Sequence, residues 1–409
     1  MSAGAEARAA RALLGADAVR DACHRLLALG LAGRLAHFRV DATRVDLVAH
    51  VVAGLTRSRF PDLQVPLHSR WRHFVLGGRD RFAPIAARMA EADRVERARR
   101  AVDLVVVSVL LDAGAGPRWR YRDAASGMVF ARSEGLALAS LDLFAAGTLS
   151  DREGDPLRVD AAALERLDAA TLAGAFQVDA ENPLVGLEGR AALLRRLGAV
   201  LREQARRAGS DAARPGMLVD RIAAGGREVR ADAILAAVLD ALGPIWPGRT
   251  RLGGVDLGDT WYHAALAGPR PGDGLCPLHK LSQWLAWSLV EPLTAAGIAV
   301  RDLDRLTGLA EYRNGGLLLD LGVLVPRDPA LTAAELTVDA EPVVEWRALT
   351  VALLDRVAER VRAVLGVDAR RLPLGAVLEG GTWLAGREQA ARRRGGEPPV
   401  RITSDGTVF

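Results

Sequence analysis

The chain has 409 residues, half of them apolar and a quarter charged, with a formal net charge of +4. That length and apolar share allow one large domain or two ordinary ones around a substantial core. Near-balanced charge, with acidic residues interspersed and no basic arm carrying aromatics, excludes nucleic-acid binding as the main function.

The first residues include Glu6, Asp17 and Asp21 and lack an apolar signal core, so they predict a helix rather than a secretory leader. Apolar residues at three- and four-residue steps predict helices over Ala10–Leu29, Val45–Leu55, Phe82–Met89 and Val95–Leu111. The run Leu104–Leu111 is far short of the ~20 residues that span a bilayer, so no membrane is expected. Arg118–Arg122 and Met128–Ala131 read as a hairpin around a polar turn, after which Ser133 and Glu134 open a helix. Helical spacing returns in Ala161–Phe176, Ala191–Arg207, Ala231–Leu242, Leu278–Val290 and Val344–Leu365. Val400–Ile402 and Thr407–Phe409, around Ser404–Gly406, read as a second hairpin. The fold class is therefore mainly α: a helical globular protein with a few small β-hairpins. Its weakest connection, Gly209–Gly216, would separate halves 1–208 and 217–409 of a single domain, 1–409. Cys23 and Cys276 are remote in sequence and form no metal or redox spacing, which fits a reducing compartment and a cytoplasmic location.

Lys280 is the only lysine, against 53 arginines. In so strong a bias toward arginine, a surviving lysine marks either chance retention or a place where a guanidinium, always charged and planar, cannot serve. If Pro277 starts the helix, Lys280, Trp284, Trp287 and Glu291 share one face, with His279 and Gln283 on the adjoining one. A lysine beside two indoles suits a nucleophile or acid, and equally a cation–π contact or an ion pair with Glu291.

Four further clusters carry candidate chemistry. Pro66–Phe74 holds His68, Arg70, Trp71, Arg72 and His73, a set suited to an anionic, partly flat ligand; the plain alternative is an arginine-rich surface loop. Gly253–His263 sets Asp256 and Asp259 before Trp261 and His263, either an acid/base site or a helix cap. Leu306–Asp320 packs Glu311, Tyr312, Arg313 and Asn314 ahead of Gly315-Gly316, with Asp320 at its end; glycines let backbone approach a ligand, or the block is a polar turn before a buried segment. Leu378–Arg387, with Glu379, Gly380, Gly381 and Trp383, offers a glycine-rich turn feeding a helix, which matches no nucleotide fingerprint. Asn182–Arg190 is a similar turn, read as structural. No metalloprotease, nucleophile-elbow or paired-cysteine motif occurs, so neither metal nor cofactor is expected.

The blocks PLHSRWRHF, LLDAGAGPRWRY, NPLVGLEGR, PLHKLSQWLAWSLVEP, GLAEYRNGGLLLD, LEGGTWLAGR and SDGTVF together resemble a family of uracil-catabolism proteins, from about Leu13 to Phe409. GLAEYRNGGLLLDLGVL is also similar, distantly, to helical nucleoside glycosylases that salvage modified bases. The first resemblance implies a route that begins with a phosphoribosyltransferase, opens the pyrimidine ring with a relative of GTP cyclohydrolase II, and later releases urea. The step left for this chain is hydrolysis of the N-glycosidic bond in a ribosylurea-type, phosphorylated intermediate. Its partners would be that small molecule and other enzymes of the route. Such a reaction needs a carboxylate for the oxocarbenium-like sugar, a cation for phosphate, an aromatic wall and a proton for the leaving nitrogen. Asp259, Glu311 or Asp320 would supply the first, Arg70, Arg313 or Lys280 the second, Trp71 or Trp261 the third, and His263 or His279 the last. His68, His73, Gln283, Tyr312 and Asn314 complete the substrate-binding set, and Lys280 allows a Schiff-base variant. Two other activities fit the same residues: a non-catalytic carrier or scaffold, and a ureido or amide hydrolase.

Overall fold

A computed structural model describes residues 3–246 and 249–403. It is mainly α. Among the described residues every sheet is a two-stranded pair, five antiparallel and two parallel. These residues group into two compact units interleaved along the chain: 3–68, 249–283 and 302–403 form the first, and 69–246 and 284–301 the second. Segment 209–216 lies within the second unit.

The first unit is organised on the helix Glu341–Leu365, with proline in its first turn and Gly366 closing it in the left-handed conformation, φ 71°. Residues 343–354 of it are buried on every side, and helices Ala16–Leu31 and Val45–Arg59 pack on it. The polar residues it buries, Glu345, Arg347 and Thr350, must therefore find partners inside the protein. Helix Tyr312–Asp320 lies against Trp383–Arg394, and glycine sets how closely: a Cβ on Gly386 would stand 2.1 Å from the Arg313 carbonyl oxygen. Gly315 faces Trp346 in the same way, with a Cβ only 2.7 Å from Nε1. The double glycine thus serves packing at its first position. Cys23 and Cys276 meet here as buried free thiols, and burial with their mutual hydrogen bond pushes the Cys23 thiol up.

The second unit places the apolar run 104–111 in its core, within and just beyond helix Arg94–Leu110, with Arg132–Ala145 packed beside it. Fully buried Asp103 accepts from Val159 N, Gly216 N and the Arg214 guanidinium. Arg190, also fully buried, donates to the carbonyls of Leu111, Ala113, Gly114 and Val185. Asn182 bonds both backbone groups of Arg120. The Asn182–Arg190 turn is therefore a clamp on the loop after the core helix.

Several elements depart from their sequence patterns. The first helix is two, Ala3–Ala12 and Ala16–Leu31. Ala161–Phe176 breaks at Leu167-Asp168, where the Asp168 carboxylate caps a new helix by accepting from Thr171 N. Helix Lys280–Ala295 starts at Lys280, not at Pro277, which ends the strand Leu275–Pro277. Leu378–Thr382 is a π-helical turn between two helical stretches, so it has no open helix N-terminus to offer phosphate. Arg401–Ile402 pairs in parallel with Glu335–Leu336; residues 404–409 of the expected hairpin lie outside the described residues. No described helix is long and apolar enough to cross a membrane.

Candidate functional site

Strand Thr260–Tyr262 pairs antiparallel with Leu275–Pro277, which brings Asp259 beside the start of helix Lys280–Ala295. The Asp259 carbonyl accepts from Leu278 N and His279 N, at 2.9 and 3.1 Å. Its carboxylate accepts four hydrogen bonds: Oδ1 from Trp261 Nε1 (2.6 Å) and Arg347 Nη1 (2.8 Å), Oδ2 from Arg347 Nη2 (2.8 Å) and Lys280 N (2.9 Å). Burial pushes this carboxyl up, but the Arg347 charge and the donated bonds outweigh it and hold Asp259 well below the usual range. With each oxygen accepting twice, Asp259 is a hub tying its own strand to the start of helix Lys280–Ala295 and to helix Glu341–Leu365, three segments in all. It caps a helix that begins 21 residues later.

The neighbouring histidines are equally engaged. His263 Nδ1 accepts from Ala265 N (3.1 Å), so Nε2 carries the proton toward Glu345 Oε2 (3.2 Å). Glu345 Oε1 in turn accepts from Phe38 N and His37 N. His279 sits in the left-handed region, φ 47°, a strained conformation for a residue with a side chain. Its Nε2 donates to the Leu13 carbonyl (2.9 Å), and burial pulls its pKa down. Lys280 is half-buried at the first helical position, and Trp261 has Arg249 over its ring at 5.8 Å.

A different arrangement surrounds the start of helix Tyr312–Asp320. Glu311 caps it, Oε2 accepting from Arg313 N (2.8 Å) and Oε1 from Asn314 N (2.6 Å), which leaves acceptor capacity on both oxygens. The Arg313 guanidinium lies 4.8 Å from the Tyr312 ring centre and 5.9 Å from that of Trp383, and its Nη1 is buried without a hydrogen-bond partner. Asn314 is 1 % exposed, and neither Oδ1 nor Nδ2 is bonded. Trp346 Nε1, facing Gly315, is likewise unpartnered. Gln283 donates from Nε2 to Thr307 Oγ1 (2.8 Å) and keeps a buried, unbonded Oε1. Arg347, besides holding Asp259, donates to the Ala310 carbonyl just before Glu311 (3.3 Å), so the Asp259 hub braces this helix start.

The same unit joins two residues that the sequence places in separate clusters. His68 Nδ1 lies 2.9 Å from Glu379 Oε2, and Arg59 Nη2 bonds Glu379 Oε1 at 3.1 Å. Burial raises the Glu379 carboxyl; His68 and Arg59 outweigh that and leave it below the usual range. The His68 ring is 6.1 Å from the indole of Trp383, the ring that Arg313 also meets. Gly380 and Gly381, expected to face a ligand, abut Thr56 and the Val52 carbonyl of helix Val45–Arg59 instead.

Other candidates lie elsewhere. Asp320 ends the helix that Glu311 begins, about 13 Å along at 1.5 Å per residue, and is bound in a fork by Arg394. In the second unit Arg70 is fully buried against Asp112 (3.1 Å) and Ser108 (2.6 Å), with Nη2 unbonded. Trp71 donates to the Ser288 carbonyl (2.8 Å) and packs edge-on against Phe74 and Phe82. His73 stands edge-on to Trp284 at 5.5 Å. Among the described residues no three His, Cys, Asp or Glu side chains gather as metal ligands would.

Residues 12–409 match the family described as "Protein of unknown function (DUF1688)". The chain is 37 % identical to Protein urg3 of Schizosaccharomyces pombe over 411 residues, which covers 97 % of this chain and 98 % of that protein. It is 36 % identical to Uracil catabolism protein 4 of Lachancea kluyveri over 408 residues, covering 91 % and 92 % of the two.

Proposed function

The chain belongs to the DUF1688 family, and from that membership we propose that it serves uracil catabolism as a hydrolase. Its substrate is a ribosylurea-type, phosphorylated intermediate whose N-glycosidic bond it cleaves to release urea. The name of the Lachancea relative, Uracil catabolism protein 4, supports the pathway. The observation that supports a small-molecule site is the set of buried, unbonded polar atoms on Asn314, Arg313, Gln283 and Trp346, all in the first unit. Each such atom costs ~1–3 kcal/mol when left unsatisfied, so five of them approach the net stability of a whole domain. A fold tolerates that when a ligand completes the bonds.

The chemistry of these groups suits the substrate. Asn314 offers a donor and an acceptor, matching the NH and C=O of a ureido group. Arg313, charged and walled by Tyr312 and Trp383, suits phosphate. Glu311 can take a water proton or face the oxocarbenium-like carbon with its remaining lone pairs. In the balanced reaction, water oxygen bonds to C1′, the C1′–N pair leaves on nitrogen, and that nitrogen gains a proton. Asp259 acts from behind, through Arg347, to set where Glu311 stands.

The test is mass-spectrometric product analysis with ribosylurea and its 5′-phosphate, on the wild type and on Glu311→Gln. Intact urea plus free sugar, with turnover reduced at least ~100-fold by Glu311→Gln, is expected. Binding without turnover would establish a carrier, and ammonia in place of urea a ureido hydrolase.

A further inference from the structure

We propose that the second unit carries a binding site for a small organic acid, one carboxylate on an apolar body, in the cavity between two of its hairpins. The site stands independently of the reaction proposed above. The cavity has a volume of about 300 Å³, at the lower end of the ~300–1,000 Å³ typical of ligand pockets. Strands Val75–Leu76 and Arg79–Asp80 pair as one hairpin, Tyr121–Arg122 and Val129–Phe130 as the other, and Leu138 of helix Arg132–Ala145 adds to the lining. A fixed frame holds the two together. Asp123, 2 % exposed, accepts from Arg81 Nη1 (3.0 Å) and Nη2 (2.7 Å), which ties the end of one hairpin to the other. The same carboxylate accepts from Ser126 N and Oγ and so shapes the second turn. Gly77, φ 58°, makes the first turn, and a Cβ there would stand 3.4 Å from Met128 Sδ, so the two tips meet.

The lining chemistry selects the ligand. Residues paired across two strands share a face, so Leu76 and Arg79, partners in register, stand side by side in the cavity wall. Met128 and Phe130, two residues apart on one strand face, and Leu138 supply further apolar surface. The Arg81 charge is balanced by Asp123. The Arg79 charge is not: this residue is exposed, and no carboxylate among the described residues pairs with its guanidinium. Neighbouring Asp80 turns its Oδ1 to Phe82 N (2.8 Å) and Ala83 N (3.2 Å) instead. With Arg79 and Arg81 set against Asp123, the lining carries one surplus positive charge beside apolar walls. A carboxylate matches that single charge and takes a guanidinium fork, whereas a phosphate monoester brings about −1.5 to −2. Met128, 48 % exposed, is an unbranched thioether that can reshape around an apolar body at the mouth.

The experiment follows the Met128 methyl signal of the full chain, labelled with ¹³C-methyl methionine, during titration with benzoate, benzamide and inorganic phosphate. The chain has four methionines, and Met128→Leu assigns the signal. Benzoate should move it saturably, with a Kd of ~1 mM or tighter. Benzamide has the same shape without the charge and should bind at least ~10-fold more weakly. Arg79→Ala removes an exposed side chain, leaves the Arg81–Asp123 frame in place, and should weaken benzoate by a similar ~10-fold. A signal that stays still up to ~10 mM benzoate overturns the proposal, as does benzoate binding that Arg79→Ala leaves unchanged. Phosphate moving the signal as strongly as benzoate overturns the assignment of the ligand as a carboxylate.

Discussion

Replacing Asp259 with asparagine separates a structural hub from a catalytic carboxylate. Asp259→Asn preserves shape but removes the charge facing Arg347, which is 1 % exposed and bonded to both carboxylate oxygens. Breaking a buried pair from one side leaves the other charge uncompensated and costs ~3–5 kcal/mol. The loss should be local, because the four donors come from residues 261, 280 and 347, all in the first unit. Native-state hydrogen exchange is the assay, since a single unfolding free energy is ill-defined for a two-unit chain. Amides of 259–283 and 345–350 should lose ~3–5 kcal/mol of protection, with the second unit unchanged. Arg347→Met should do the same, and the double variant should cost less than the sum. The sign with pH follows from a carboxyl whose folded pKa is depressed. Its contribution is fully present above the unfolded value of about 3.9 and is lost as pH falls through the lower folded value; Asp259→Asn should lack that loss. If Asp259→Asn keeps its protection to within ~1 kcal/mol yet loses turnover, Asp259 acts in the chemistry and the hub assignment is wrong.

Three other outcomes are expected. His279, buried with a depressed pKa, makes the unfolded state the stronger proton binder below about pH 6.5, so stability should fall on acidification from there. His279→Asn, which tolerates the left-handed backbone, should flatten that slope in protection factors measured between about pH 7 and 5. Gly386→Ala forces a methyl against the Arg313 carbonyl, 2.1 Å away, and should destabilise the helix pair by ~1–3 kcal/mol while weakening ribose 5-phosphate binding by calorimetry. Borohydride added during turnover would leave a sugar adduct on Lys280 if that amine forms a Schiff base; mass spectrometry showing no adduct would leave Lys280 a binding or structural role.

Much of the site was legible as residue types rather than as relationships. Glu311, Arg313 and Asn314 stand together because they are consecutive on a helix start, a spacing the chain displays directly. That stretch does not look helical in isolation, with two glycines in its middle; packing against Trp346 and the Trp383–Arg394 helix overrides their low propensity. Glu379 stands in the sequence only as part of a glycine-rich turn, because its partner, His68, is 311 positions away and no local pattern joins them. The ion pair joining Asp259 to Arg347, 88 positions apart, was invisible for the same reason, and so was the meeting of Cys23 with Cys276.

The mainly α fold and the location of most helices followed from the sequence by itself, because apolar periodicity is a local property of the chain. So did the family, carried by blocks spread from near the N-terminus to the end. Only tertiary structure decided which polar side chains are saturated and which are buried with bonds to spare. That distinction depends on burial and on donors supplied by distant segments, and it separates Asp259 and His263 from Glu311, Arg313 and Asn314.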